Sequence, residues 1–351
     1  MLGVLMALAL AAPPPVQGSG ARIARQTREL MHTRVTIAIV DPPRAARASH
    51  QLDFDAAFAI FSHIDLVMNE WKQTSSLALI NAQAAAKPVT APADLCEVIT
   101  LSLDGARKTR GLFDPTWAAL REVWKFPGEI PDARTLEAQC KLVSWKDVEV
   151  KPLTSPTSEA ACTVRFKKPG MKLGLGGIVK GWGVDQAVKL LRGVGYKNFF
   201  VQAGGDLYLA GKVGDRSWKV GIRDPRSAED KTFARTEVSD ATFSTSGDYE
   251  HFFIKDGVRY HHLIDPSTCQ PARKSSSATV LAQSGVDAEI LTKAAFILGW
   301  PEGKELAAAW KAQLVLVDAD GGVHFSPELE GQLELRQPSG FGVVDGLSDL
   351  P

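Results

Sequence analysis

Hydrophobic and polar positions change period several times along the chain, and each change marks an element. Residues 33–41, TRVTIAIVD, alternate and are rich in β-branched side chains, which predicts a half-buried strand. Between 54 and 71, Phe54, Phe58, Phe61, Ile64, Met68 and Trp71 recur at steps of three and four. That spacing predicts one face of an amphipathic helix, with Trp71 packed into the core at its end. A second helix is predicted from Ala93 to about Arg110, stopped by Gly111. Residues 126–170 are rich in proline and short strand-like runs, and predict an elaboration on the edge of the core.

From MKLGLGG onward the pattern reads as a short strand running into Gly176 and Gly177. A helix follows with Val184, Ala187, Val188 and Leu191 inward, stopped by Gly193 and Gly195. NFFVQA (198–203) is a buried strand followed by GGD, and LYLAGK and WKVGIRDP are strands after it. HFFIKDGVRYHHLID predicts a hairpin turning at Asp256 and Gly257. SATVLAQ predicts a strand, residues 287–298 a helix, and AQLVLVDADGGVHFS a closing hairpin. Irregular alternation of strands and helices, with several hairpins, makes the fold class α+β, with mixed sheets and packed helices. Residues 21–345 read as one unit and 346–351 as a tail.

Charge narrows the function. Lysine plus arginine and aspartate plus glutamate each number 40, so the net charge is zero. Nucleic-acid binding, which leaves a basic footprint, is not expected. The first 20 residues hold an apolar run too short to span a bilayer, with small residues at 9–12. They predict a signal peptide and export, although only the amino terminus supplies positive charge ahead of the run. No cysteine follows the run until Cys96, which argues against a lipid anchor. Cys96, Cys140, Cys162 and Cys269 lack C-x-x-C spacing, so they are not a metal cluster; disulfides and free buried thiols both remain open.

The stretch GLGGIVKGWGVD (174–185) carries the candidate chemistry. It has glycines, a lysine and a helix start, the ingredients of a phosphate site. It fits neither common fingerprint: Gly181 stands where a P-loop needs Ser or Thr after Lys180, and Val179 where a dinucleotide motif needs glycine. Four other stretches, GLFDPTW (111–117), QAGGDLYLAG (202–211), STSGDYEHFF (244–253) and YHHLIDPSTCQP (260–271), put small or polar residues at strand ends. Each alone is an ordinary turn. Together they read as loops converging on one polar ligand.

In order and spacing, SSLALIN, LFDPTW, LGGIVKGWGVD, GGDLYLAG, TSGDYE and HHLIDPSTCQP resemble the ApbE family of flavin transferases, from about Met31 to about Gly299. The resemblance implies an ApbE-like, T-fold-related fold that takes FAD and a magnesium ion. It implies transfer of FMN through its phosphate to a threonine or serine hydroxyl of an acceptor protein, with release of AMP. The implied location is periplasmic or otherwise extracytoplasmic. The implied acceptor bears a Ser/Thr-rich motif, as membrane redox subunits do. An FAD-binding relative without transfer, and an FAD pyrophosphatase, are the alternatives.

The resemblance also assigns residues. Met31, Trp71, Leu112, Phe113, Asp114, Lys180, Ser246, Gly247 and Leu263 fall on the flavin-nucleotide site. Asp185, Gly205 and Asp206 hold its cradle. Gly177 gives a backbone oxygen to the metal. His262 is the base of H-x-x-D-P, with Asp265 orienting its loop and His261 facing the other way on the strand. Departures are Gly174 for a family Asp, Cys269 for Gly and His32 for Gly. In the metal block Glu289 replaces Asp and Lys293 replaces a ligating Thr. A retained but weaker magnesium site is expected, with Thr292, Glu289 and the Gly177 carbonyl as ligands, the alternative being that the Lys293 ammonium takes over part of the charge neutralisation. Glu289 and Lys293 also have the spacing of a helical i, i+4 ion pair.

Overall fold

The computed structural model describes residues 21–40, 47–153, 160–227 and 231–336. The expected signal peptide over 1–20 and the tail at 346–351 lie outside them. The chain divides into two compact units drawn from interleaved stretches. Of the described residues, one takes those within 1–62, 180–249 and 274–351; the other takes those within 63–179 and 250–273.

The first unit centres on an eight-stranded antiparallel sheet. Its strands lie in the order Ile23–Leu30, Thr33–Val40, Phe199–Ala203, Asp206–Ala210, Ala241–Gly247, Ser275–Ala282, Gln313–Asp318 and Val323–Phe325. Thr33–Val40 was expected to bury one face, but all six residues from Val35 to Val40 are buried. The reason is that both sheet faces are covered. On one, Ala38, Val40, Phe200, Leu209 and Phe243 join Trp218, Ile222 and Phe233 of a three-stranded sheet in a common core. Against strands Ala241–Gly247 and Ser275–Ala282 packs the helix Gly285–Leu298. Fully buried strands carry apolar or hydrogen-bonded residues at every position, which blurs alternation.

The second unit is built around the helix Ala93–Lys108 and a three-stranded sheet of Val89–Pro92, Ala160–Phe166 and Val148–Pro152. Gly111 ends that helix as expected, with φ of +88° and its N–H donating to the Ala106 carbonyl at 2.7 Å. The helix begun at Arg47 stops at Val67, so Phe54, Phe58, Phe61, Ile64 and Met68 are buried while Trp71 lies beyond the helix, 69% exposed. Core packing of Trp71 is therefore corrected. The hairpin Phe252–Lys255/Val258–His261 turns at Asp256 and Gly257, both at positive φ.

Two disulfides staple this unit. Cys96–Cys162 joins the helix Ala93–Lys108 to the strand Ala160–Phe166, and Cys140–Cys269 ties the helix Ala133–Cys140 to the loop after Asp265. They close loops of 66 and 129 residues, and disulfides of that kind typically contribute ~2–4 kcal/mol.

Candidate active site

In the first unit Lys180 stands in the first turn of the helix Val179–Val194. The Lys180 ammonium lies 2.8 Å from Asp206 Oδ2 and 2.7 Å from Glu289 Oε1. Asp206 sits just past the Gly204–Gly205 turn, and its Oδ1 accepts from Ser244 Oγ at 2.6 Å. Glu289 Oε1 also accepts from the Gly181 N–H at 3.3 Å, while Oε2 pairs with Lys293 one helical turn on. Lys293 donates as well to the Glu289 carbonyl at 3.0 Å. Two acids and two lysines thus form one charge-balanced cluster.

Asp206 and Glu289 are buried, so each feels the charges of its neighbours strongly. Burial pushes the Asp206 carboxyl up, with the nearby Glu289 charge adding to the effect. It would push Glu289 up too, but the Lys180 and Lys293 ammoniums outweigh it and hold Glu289 below the usual range. Lys180, which burial alone would lower, is raised by its two carboxylate partners and stays protonated.

Gly181 follows Lys180 for a steric reason. A Cβ on Gly285 would lie 2.5 Å from the Gly181 carbonyl oxygen, and one on Gly181 would lie 2.9 Å from Glu289 Cγ. Two helices touch backbone to backbone here, which leaves no room for the P-loop Ser or Thr. Gly176, by contrast, faces open space. The early N–H groups of the turn are already spent: Ile178 and Val179 donate to Leu175 O, and Gly181 donates to Glu289. Positive charge at this site therefore comes mainly from lysine rather than from a bare helix start.

The other expected cradle residues fall into structural roles. Asp185 accepts from Ser284 Oγ, Gly285 N and Val286 N and so caps the helix Gly285–Leu298. Ser246 Oγ donates to Thr292 Oγ1 at 3.0 Å, and Thr292 donates to the Glu289 carbonyl. At Gly247 a side chain would strike the Tyr249 ring. Met31 and His32 form the turn between Ile23–Leu30 and Thr33–Val40, both at positive φ (53° and 57°).

The magnesium ligands expected from the sequence are not arranged to hold a metal. Both oxygens of Glu289 are capped by ammoniums, and the Thr292 hydroxyl is engaged on both sides. Protonated Lys293 has donors and no acceptor. Among the described residues no three or more His, Cys, Asp or Glu gather as a metal group. Glu289, Thr292 and Lys293 are thus an ion-pair and hydroxyl network. Gly177 belongs to the second unit, in the turn ahead of the helix.

In the second unit the two histidines differ as expected. His261 is buried; its Nε2 donates to the Ala272 carbonyl at 2.8 Å, which leaves Nδ1 to accept from Leu263 N. Leu263 is itself buried and its carbonyl accepts from Ala272 N. His262 is partly exposed, and its ring meets His251 edge to face at 5.3 Å. Burial lowers the His251 pKa, and the sequence pattern gave no sign of this neighbour. Asp265 Oδ1 accepts from Ser267 N and Oγ, and its carbonyl accepts from Cys269 N at 2.7 Å. These bonds shape the turn over residues 265–269, which begins three residues after His262.

Asp114 is spent on architecture: it accepts from Thr116 N, Thr116 Oγ1 and Trp145 N, and burial raises its pKa. Leu112 is half-buried and Phe113 buried beside it. Trp71 carries the Arg121 guanidinium 4.8 Å from its ring centroid, and Trp117 flanks the same Arg121 at 4.4 Å. A Cβ on Gly174 would lie 3.2 Å from Arg121 Nη2 and 2.9 Å from the Ala118 Cβ. Position 174 thus faces a guanidinium, and Arg121 joins the candidate residues although no motif pointed to it.

The ApbE family model matches residues 31–316. The FAD:protein FMN transferase of Treponema pallidum is 33% identical over 297 residues, covering 81% of this chain and 81% of that protein. The FAD:protein FMN transferase of Haemophilus influenzae is 27% identical over 322 residues, 90% of each. The crystal structure of the ApbE protein of Thermotoga maritima superposes with a TM-score of 0.76 at 28% identity, covering 89% of this chain and 99% of that one.

Proposed function

We propose that this chain, which belongs to the ApbE family, is an FAD:protein FMN transferase. The observation that carries the reading is the match over residues 31–316, which includes both Lys180 and His262.

The reaction needs two things of the protein. A threonine or serine hydroxyl is a weak nucleophile at neutral pH, so a base must take its proton as its oxygen attacks the FMN phosphorus. His262 is assigned that role, with Asp265 shaping the turn that follows it. The new bond joins the acceptor oxygen to phosphorus, the P–O bond to the AMP phosphate breaks, and AMP leaves. Negative charge grows on the phosphate oxygens meanwhile, and fixed positive charge stabilises it. Lys180, kept protonated by Asp206 and Glu289, is assigned that part. A magnesium ion is what the resemblance adds, but the capped Glu289 does not fit it, so no step is assigned to one.

The acceptor is proposed to be a protein with a Ser/Thr-rich flavinylation motif, a membrane redox subunit being the natural type. Extracytoplasmic work is proposed as well. It is supported by the two disulfides, which persist in oxidising compartments and leave no free cysteine. Incubation with FAD and a threonine-bearing acceptor peptide tests the activity. Mass spectrometry should find an FMN phosphoester on the peptide; free FMN with unmodified peptide would favour hydrolysis instead.

A further inference from the structure

The acids and lysines around Glu289 are layered. The side chains of Asp206 and Glu289 are 3% and 1% exposed, while those of Lys180 and Lys293 are 27% and 21% exposed. The carboxylates form a buried floor and the ammoniums cover it. An anion approaching from solvent therefore meets lysine first.

We propose that the Lys293 ammonium is a built-in counter-ion at Glu289, so that this chain meets its nucleotide diphosphate with fixed lysine charge rather than with a divalent ion held by Glu289. The proposal rests on the transferase reading for the identity of the anion, but its geometry stands apart from that reading.

Three features support it. Every strong acceptor position at Glu289 is occupied: Lys180 and Gly181 N on Oε1, Lys293 on Oε2, and Lys293 with Thr292 on the backbone carbonyl. A divalent ion would have to displace an ammonium and then sit beside the group it displaced. The cluster is already neutral, with two acids and two lysines, so a further two positive charges would be uncompensated. Finally, glutamate suits this arrangement better than aspartate. Its extra methylene lets one carboxylate reach back to Gly181 and forward to Lys293 at once.

Manganese binding to the full chain without flavin tests this directly, read by electron paramagnetic resonance and calorimetry. The wild type is expected to bind no stoichiometric Mn²⁺ at Glu289 up to about millimolar concentration, whereas magnesium- and manganese-type ions favour sites of open oxygen ligands. Lys293→Thr removes the ammonium and should gain one Mn²⁺ per chain, at least about tenfold tighter than wild type, as a freed carboxylate and hydroxyl allow. That gain should vanish in Lys293→Thr/Glu289→Gln. Lys293→Met, which keeps the bulk and drops the charge, reports folding by its melting curve and should gain Mn²⁺ more weakly than Lys293→Thr. One tight Mn²⁺ in the wild type that is lost in Glu289→Gln would overturn the proposal, and so would a folded Lys293→Thr with no gain. Because no flavin is present, failure of the transferase reading would leave these results unchanged.

Discussion

Gly181 and Gly285 meet backbone to backbone, and a Cβ on Gly285 would lie 2.5 Å from the Gly181 carbonyl oxygen. This contact sets how the helices Val179–Val194 and Gly285–Leu298 cross, and with it the reach of Lys180 to Glu289. Gly181→Ala should destabilise the fold by ~1–3 kcal/mol, the usual cost of overpacking. A urea melt checks it, and an unchanged midpoint would mean that the helices can part without cost.

His262→Ala should keep FAD bound and lower transfer by ~10²–10⁴-fold, the usual share of a general base. His261→Ala should act differently, because His261 is a buried bridge between Ala272 and Leu263. It should lower the melting temperature first. Comparing transfer rates and melts of the two variants separates the roles; equal loss of stability in both would merge them.

Cys269 occupies a left-handed position, accepts from Trp124 Nε1 at 2.9 Å and is bonded to Cys140. Cys140→Ser/Cys269→Ser should cost ~2–4 kcal/mol of stability, and reduction of the wild type, which opens Cys96–Cys162 as well, should cost more. Denaturant melts with and without reductant measure it. Transfer should fall as well, since the same turn receives its shape from Asp265.

How much of this was legible in the sequence follows from what each signal encodes. The Gly111 stop, the β-branched runs and the Asp256–Gly257 turn are local and appear where expected. The strand read at MKLGLGG does not form, and the helix runs through Gly193 to Val194 before Gly195 ends it. The strand Thr33–Val40 looked half-buried because alternation reports one face, and a sheet covered on both sides was not visible. The residues from 54 to 68 kept their helical period, but Trp71 continued it by coincidence beyond the helix end. His262 and Lys180 were readable through the family motif. Arg121 and His251 were not, because they become neighbours of Trp71 and His262 only in three dimensions. The spacing of Glu289 and Lys293 pointed to an ion pair and the family resemblance to a metal block; the capping of Glu289 by two ammoniums decides between them.

Burial lowers the His251 pKa below its ordinary 6.5. A histidine kept neutral in the fold takes up protons more readily when unfolded, so its contribution is full above pH 6.5 and is lost as pH falls through that value toward the lower folded pKa. Stability should therefore decline as pH falls below 6.5, and His251→Gln should flatten part of that slope. Thermal melts across this range check it. A slope identical in the variant would assign the acid sensitivity to other groups.

The central claim is that FMN moves from FAD to an acceptor hydroxyl. AMP release followed in time, with and without an acceptor peptide bearing a threonine, tests it most directly. The account predicts AMP and FMN-modified peptide appearing in equal amounts, little AMP when the threonine is replaced by alanine, and loss of both in His262→Ala. AMP released at the same rate without any acceptor, with free FMN as the other product, would contradict it.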